Sequence, residues 1–212
     1  MALNDPYVTA AQLKTQLGIS DSTDDTAITA AVNASSRWID NFCNRRRFGF
    51  NVATAATART YRPLTLYRCM VDDISSNTSL VVKVDQGGDG TYETTWTNGT
   101  HFLLEPLDEV AADGGSRPYT SLTAIDSSSF PMLARRRPAV QVTALWGWPA
   151  VPALVTEACY QLAEETFKLK DAPFGVAGVN DFGVLRIGNQ TMNRVQAMLQ
   201  DYIRGTGGVL VG

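Results

Sequence analysis

Leu80-Val-Val-Lys-Val-Asp85-Gln-Gly-Gly-Asp-Gly90-Thr-Tyr-Glu-Thr-Thr-Trp96 is the stretch that decides the fold class. Leu80–Asp85 is dense in β-branched residues, Gln86–Gly90 is a run of turn formers, and Thr91–Trp96 is a second β-favouring run. The pattern predicts a strand, a tight turn and an antiparallel partner. Further on, Asn98-Gly99 marks another turn, followed by a strand over Thr100–Leu104. Tyr119–Ile125 and Ala139–Trp146 complete the strand set, with the polar spacer Ala111–Ser116 between. Pro63, Pro106, Pro118, Pro131 and Pro138 fall at strand borders, where a missing N–H is tolerated. A β-rich zone therefore covers residues 59–148.

Both flanks of this zone read as helix. Thr9-Ala-Ala-Gln12 is a capping-box pattern, in which each side chain serves the other's backbone N–H. Leu13 and Leu17 then share a face, and Gly18 is a C-terminal stop. A second helix is expected from Ser22, with Asp24 and Asp25 suited to a positive N-terminus. Its apolar stripe is Ile28, Val32, Ser35, Ile39 and Phe42, widened by Trp38, and it should run to about Asn41. In the C-terminal third, Pro152 is placed at a first helical position. Val155, Cys159, Leu162, Thr166 and Leu169 form a stripe thickened by Ala158 and Phe167, ending near Asp171 ahead of Pro173. A loop containing Gly175, Gly178, Gly183 and Gly188 follows, with Phe182–Ile187 as a short strand candidate. A last helix presents Val195, Met198, Leu199 and Tyr202 and stops at Gly205, before a glycine-rich tail. The expected architecture is α+β: a helical core of about four helices with an inserted antiparallel β-rich region. Residues 1–58 and 149–212 are expected to pack as one helical domain around the 59–148 insertion.

At 212 residues and 44% hydrophobic content the chain can bury a true core without disulfides or metal. Charged residues are 18%, against about 25% in an average soluble domain. The net charge is only −3, but the signs come in blocks. Arg45–Arg68 holds six arginines and no acid; Asp72–Asp113 holds nine acids and one lysine; Arg117–Arg137 holds four arginines and one acid. This is either an ordinary mixed surface or one basic and one acidic edge suited to head-to-tail contacts between copies. Cys43, Cys69 and Cys159 have no CxxC or Cys–His spacing and read as buried free thiols of a reducing compartment. Met1–Tyr7 has neither a basic nor an apolar run and does not read as a signal peptide. No segment approaches a membrane span.

The residues offer little chemistry. His101 is the single histidine and cannot by itself build a two-His metal site. Asp85-Gln-Gly-Gly-Asp89-Gly90 resembles part of a calcium loop, but the third acid and terminal bidentate Glu are missing, so a hairpin turn is the simpler reading. The glycines after Asp171 form neither GxGxxG nor a P-loop. No catalytic residue, metal ligand set or cofactor is expected. Arg45, Arg46 and Arg47, and Arg135, Arg136 and Arg137, are the candidates for phosphate-backbone contact or for pairing with the acidic block of a neighbouring copy.

The order of these pieces resembles the head–tail connector (adaptor) family of long-tailed, siphovirus-type bacteriophages. Tyr7-Val-Thr-Ala-Ala-Gln-Leu-Lys and Leu17-Gly-Ile are similar to its first helix. Asp25, Ile28, Ala31 and Ala34-Ser-Ser-Arg-Trp-Ile39-Asp-Asn-Phe-Cys43-Asn-Arg are similar to its second. Val142-Thr-Ala-Leu-Trp-Gly-Trp-Pro-Ala-Val-Pro152, Glu157-Ala-Cys-Tyr-Gln-Leu-Ala and Phe167 to Gly178 are similar to the second half of actinobacteriophage versions. The resemblance covers nearly the whole chain, although the β zone is longer than in compact members. It implies a homo-oligomeric ring, dodecameric to match the portal protein, in the neck of a virion assembled in the host bacterial cytoplasm. The ring would meet the portal on one side and a head–tail stopper or tail terminator on the other, and would leave a channel for non-specific double-stranded DNA. Phe174, Val176, Val179, Val209, Leu210 and Val211 are the expected portal or neighbour contacts. Two rival readings are a phage carbohydrate- or receptor-binding or other minor tail structural module, with Tyr92, Trp96 and Tyr119 stacking on sugars, and a metal hydrolase built on Asp85, Asp89 and His101.

Overall fold

The computed structural model describes residues 5–45, 49–133, 137–171 and 188–205. The chain forms two compact units, a helical one from Asn4–Gly49 with Val151–Arg204 and a β unit from Phe50–Ala150. The fold class is α+β, with four α-helices and seven strands in two antiparallel sheets among the described residues.

In the helical unit, α1 (Ala10–Leu17) starts where Gln12 N–H donates to Thr9 Oγ1 at 3.2 Å and Thr9 N–H donates to Gln12 Oε1 at 2.8 Å. This is the expected capping box, and it satisfies two otherwise orphaned donors. Gly18 closes the helix at φ 70°, returning its N–H to the last turn. Leu13 is fully buried, whereas Leu17 is only half-buried.

Helix α2 (Asp25–Phe42) begins three residues after Ser22. Asp21 accepts the Thr23 N–H at 2.9 Å, and this local turn holds the chain out of helix. Its buried face is Ile28, Ala31, Val32, Ser35, Ser36, Ile39 and Asp40, a 3-4-7 spacing. Trp38 and Phe42 stack beside it with centroids 5.1 Å apart.

Helix α3 (Ala153–Lys168) takes Pro152 as its N-cap, with ψ 145°, rather than as its first helical residue. The buried row Val155, Cys159, Ala163, Phe167 follows i, i+4 steps. Thr166 and Leu169, expected on that stripe, are therefore turned outward and exposed. Helix α4 (Gly188–Leu199) and a 3₁₀ turn at Gln200–Tyr202 bury Val195, Leu199 and Tyr202. Ser36 Oγ lies 3.4 Å from Cys159 Sγ, so α2 meets α3 through small side chains. Full burial of Ile28, Val32, Ile39 and Val155 contributes roughly 1.5–3 kcal/mol each. The Phe182–Ile187 strand candidate lies outside the described residues.

The β unit holds β1 (Thr57–Tyr61), β2 (Arg68–Ile74), β3 (Val81–Val84), β4 (Thr94–Trp96), β5 (Phe102–Glu105), β6 (Tyr119–Ala124) and β7 (Val140–Ala144). One sheet runs β1-β7-β3-β4 and the other β2-β6-β5. The hairpin read first in the sequence is present, with Val82 opposite Trp96 and Val84 opposite Thr94. The strand expected from Thr100 starts at Phe102 instead. Thr100 and His101 return their N–H groups to the Thr97 carbonyl and so belong to the turn. Strand β5 does not extend the first sheet but pairs with β6 in the second. Strands β1 and β2 were not expected. The polar Thr-Ala-Arg-Thr-Tyr lacks an apolar run, and Asp72-Asp73 interrupts the other. Asp72 is held at the edge by Arg59 (3.2 Å) and the Tyr61 hydroxyl (2.9 Å). The core alternates with period two: Cys69 and Val71, Val82 and Val84, Phe102 and Leu104, Leu122 and Ala124, Val140, Val142 and Ala144 are all buried.

Leu145-Trp-Gly-Trp148 joins the two sheets. Leu145 O accepts from Ser75 N–H (2.9 Å), Trp146 O from Ala53 N–H (2.7 Å), and Gly147 N–H donates to Asp73 O (2.8 Å). Trp146 is fully buried, donates its indole N–H to Thr57 O at 2.8 Å, and lies under the Arg59 guanidinium at 4.1 Å. Trp148 tilts against Phe50 at 5.1 Å.

Candidate functional site

The expected contact surface was made of arginines and of apolar residues in the last third. Phe174, Val176, Val179, Val209, Leu210 and Val211 lie outside the described residues, as do Arg46, Arg47, Arg135 and Arg136. Arg45 and Arg137 are described. Arg45 follows α2, and its Nε donates to the Tyr202 carbonyl at 3.1 Å. Its own carbonyl accepts the Gly49 N–H at 2.8 Å, and Arg204 N–H donates to Cys43 O at 2.9 Å. A guanidinium on exposed carbonyls of the last helical turn is a favourable end-cap, so Arg45 joins the two halves of the helical unit. Arg137 is exposed and donates to Gly88 O at 3.1 Å, on the β3–β4 turn. Arg45 belongs to the helical unit and Arg137 to the β unit.

The charge blocks also meet inside the chain. Arg59 pairs with Asp72 at 3.2 Å, Arg68 with Glu105 at 3.5 Å, and Arg117 with Asp108 at 3.7 Å. Sequence reading missed these pairs because they depend on the β1–β2 and β5–β6 connections and, for Arg68–Glu105, on the β2-β6-β5 order of the second sheet. Of them, Arg59–Asp72 is the most enclosed and the least screened by water.

The thiols are placed against nucleophilic chemistry. Cys43, Cys69 and Cys159 are buried and free. Burial pushes the Cys43 and Cys69 thiols up to about 12 and raises that of Cys159. They stay protonated at neutral pH, where only a thiolate attacks readily. An aromatic disulfide reagent should therefore titrate almost no thiol in the native chain and all three after denaturation. Rapid reaction of any one before unfolding would contradict this burial.

His101 Nδ1 accepts the Thr97 N–H at 3.0 Å, and its ring stacks on Trp96 at 6.0 Å. Asp85, Asp89 and Glu93 bring carboxylate oxygens within 4.8 Å of one another, without His101. The Asp85 oxygens accept from Gly88 N–H (2.6 Å) and Gly90 N–H (2.8 Å), and Glu93 accepts from Gln86 N–H (3.2 Å). Hydrogen bonds from the Thr91 hydroxyl and N–H hold Asp89 below the usual carboxylate range. These oxygens shape a hairpin turn; the hydrolase reading loses its histidine. The sugar-stacking reading loses its central ring. Trp96 is 5% exposed and stacks on Phe130 at 4.8 Å, while the Tyr119 hydroxyl is bound to Glu109.

The helical unit holds one buried acid whose titration opposes folding. Burial raises the Asp40 carboxyl above its usual range, against the opposing effects of the Tyr7 hydroxyl and of Arg37 at 3.2 Å. The folded chain thus holds this proton more tightly than the unfolded chain. The contribution is most favourable below the ordinary carboxylate range and is lost as pH rises through the raised value. Relative to Asp40→Asn, the wild type should lose stability as pH goes from about 4 towards neutrality. Urea midpoints of both proteins across that range check this; a constant difference would refute it.

Among the described residues no helix is long and apolar enough to cross a membrane. No protein-family model matches the sequence, and no curated protein matches it. Solved structures do. A chain in the virion of the native gene transfer agent (GTA) particle is similar at 17% identity and TM-score 0.49, over 97% of this chain and 93% of that one. A chain in the neck of the native GTA particle, computed with C12 symmetry, gives 14% identity and TM-score 0.50 over 96% and 91%. A chain in the neck of the empty GTA particle, computed with C6 symmetry, gives 17% identity and TM-score 0.52 over 97% and 93%. Over nearly its whole length the chain is therefore similar in fold to chains found in a particle neck.

Proposed function

We propose that this chain is a structural subunit of the neck of a tailed phage or phage-like particle, a head–tail connector rather than an enzyme. The observation that carries this reading is the fold shared over 97% of the chain with a chain from a particle neck. The C6 and C12 symmetries of those necks support a ring of copies, with twelve as the number that matches a dodecameric portal. The ring sits beneath the portal, joins the capsid to a stopper or tail terminator, and encloses the path of double-stranded DNA. Phe174, Val176, Val179, Val209, Leu210 and Val211 are its contacts to portal or neighbour. Arg46, Arg47, Arg135 and Arg136 supply charge to neighbours or to the channel, with Arg45 and Arg137 as their anchored ends. The siphovirus and actinobacteriophage affiliation is part of the same proposal. Protonated thiols and a histidine turned to the backbone support a role without catalysis.

Negative-stain imaging of the purified chain with portal rings tests this. The expected result is a second ring of cyclic symmetry stacked on the portal. Removing residues 205–212 should leave a folded chain that no longer joins portal-bearing capsids. A chain that never associates with portal rings would sink the reading.

A further inference from the structure

The three-stranded sheet β2-β6-β5 has two ends, and its register says which loops lie at each. Arg68 and Leu103 both stand opposite Thr123, so the start of β2, the end of β6 and the start of β5 share one end. Ile74 stands opposite Tyr119 and Glu105 opposite Ser121, so the β5–β6 connection lies at the other end. Along β2 the two ends lie roughly 20 Å apart; β5 is shorter, and there Arg68 reaches from the first end to Glu105 at 3.5 Å.

Each end carries apolar side chains in water. At the first, the β1–β2 loop exposes Leu64 (38%), Leu66 (48%) and Tyr67 (57%). This loop is tied down: Leu64 N–H donates to Arg68 O, Phe130 N–H to Leu66 O, and Ala124 N–H to Tyr67 O. At the second end, Val110 (57%) stands on a short hairpin closed by Arg117 N–H to Glu109 O and Ala111 N–H to Gly115 O, and Leu107 (71%) stands on the chain leading into it. Folded, hydrogen-bonded loops that hold leucine, tyrosine and valine outward mark contact surfaces rather than slack chain.

The charges differ in sign. The first end carries Arg62 and Arg68 against Asp126; Arg68 also meets Glu105. The second carries Asp108, Glu109 and Asp113 against Arg117, which pairs with Asp108. One end is thus apolar with a basic bias, and the other apolar with an acidic bias. Two unlike, complementary patches on one molecule are what a head-to-tail contact needs, since the interface of a cyclic ring joins different surfaces of adjacent copies.

We propose that these two ends are the halves of one interface: the Leu64–Tyr67 loop of one copy docks on the Leu107–Val110 segment of the next. The inference rests on the ring reading above and assigns its contact. Leu66→Cys and Leu107→Cys can be introduced together into the full chain, because both positions are exposed and the native thiols are buried. A short bis-maleimide should then link the doubly substituted chain into a ladder of multimers. The two single variants should give no ladder alone and only dimers when mixed. No ladder from the double variant overturns the inference, even where micrographs still show rings, because the ring then closes through other surfaces. Efficient dimers from Leu66→Cys alone also overturn it, because like would then be meeting like. A ladder without closed rings supports the contact and counts against the neck reading, so the two failures are separable.

Discussion

Gly147→Ala should cost more than about 4 kcal/mol and leave the β unit largely unfolded at room temperature. Gly147 has φ 113°, a conformation that side chains rarely adopt, and such strain alone costs about 1–3 kcal/mol. A methyl group there would stand 2.9 Å from the Asn51 carbonyl carbon and 3.0 Å from Val52 Cα, and inside the contact radius of the Asn51 oxygen. All three are backbone, so the clash cannot be relieved by turning a side chain. Moving the strand would instead loosen Gly147 N–H to Asp73 O and Ala53 N–H to Trp146 O, the bonds that tie segment 145–148 to β2 and to the chain ahead of β1. Each buried donor left without its acceptor costs a further 1–3 kcal/mol or so. Urea unfolding followed by tryptophan fluorescence is the measurement. Gly87→Ala is the control, since its added carbon meets nothing within 4 Å and its φ is not in the strained range; it should change stability by about 0.5 kcal/mol or less. A loss under about 1 kcal/mol at Gly147 would mean that this crossing of backbones is not tight.

Gly49→Ala should cost about 3 kcal/mol and act in the helical unit. Its φ is 57°, where an alanine is disfavoured by roughly 1–2 kcal/mol. The added carbon would lie 2.8 Å from Asp40 Oδ1 and closer still to the Tyr7 hydroxyl, which donates to that same carboxylate. Tyr7 has little freedom to retreat, because its backbone N–H donates to Ser36 Oγ at 3.1 Å inside the unit. The hydroxyl must leave Asp40, and a hydrogen bond to a buried charged group is worth about 1.5–3 kcal/mol. Tyr7→Phe removes the colliding oxygen. The cost of Gly49→Ala should therefore fall by more than about 1 kcal/mol in that background. Additive losses would mean that position 49 and the Tyr7–Asp40 pair do not interact.

The α+β class, the capping box at Thr9 and the β3–β4 hairpin could be read directly, because each is written in adjacent residues whose period or turn chemistry is local. Strands β1 and β2 could not. Thr-Ala-Arg-Thr-Tyr becomes a strand only because β7 lies beside it, some eighty positions later. The aspartates of β2 are tolerated because Arg59 and Tyr61 reach Asp72. The same distance effect hid the roles of the described arginines. Arg45 reads as free charge next to Arg46 and Arg47, yet its partner is the Tyr202 carbonyl at the far end of the chain. Trp96, read as a surface ring, is enclosed because Phe130 and His101 fold over it. The exposed leucines of the two sheet ends gave no signal by themselves, since a leucine in a loop looks the same whether it is covered or not.

The β1-β7-β3-β4 order has a consequence for how the protein is made. Strand β7 lies between β1 and β3, so neither can complete its backbone pairing until residue 144 has been synthesised. Helix α2 waits longer, because its buried face meets α3, which begins at Ala153, over a hundred positions after α2 ends at Phe42. Contacts this distant in sequence form slowly, because a long loop must close before they stabilise anything. During elongation Ile28, Val32 and Ile39 stay open to water or to chaperones, while the β unit grows behind them. The helical unit completes only when α3 and α4 have left the ribosome, so its stability belongs to the finished chain rather than to the nascent one.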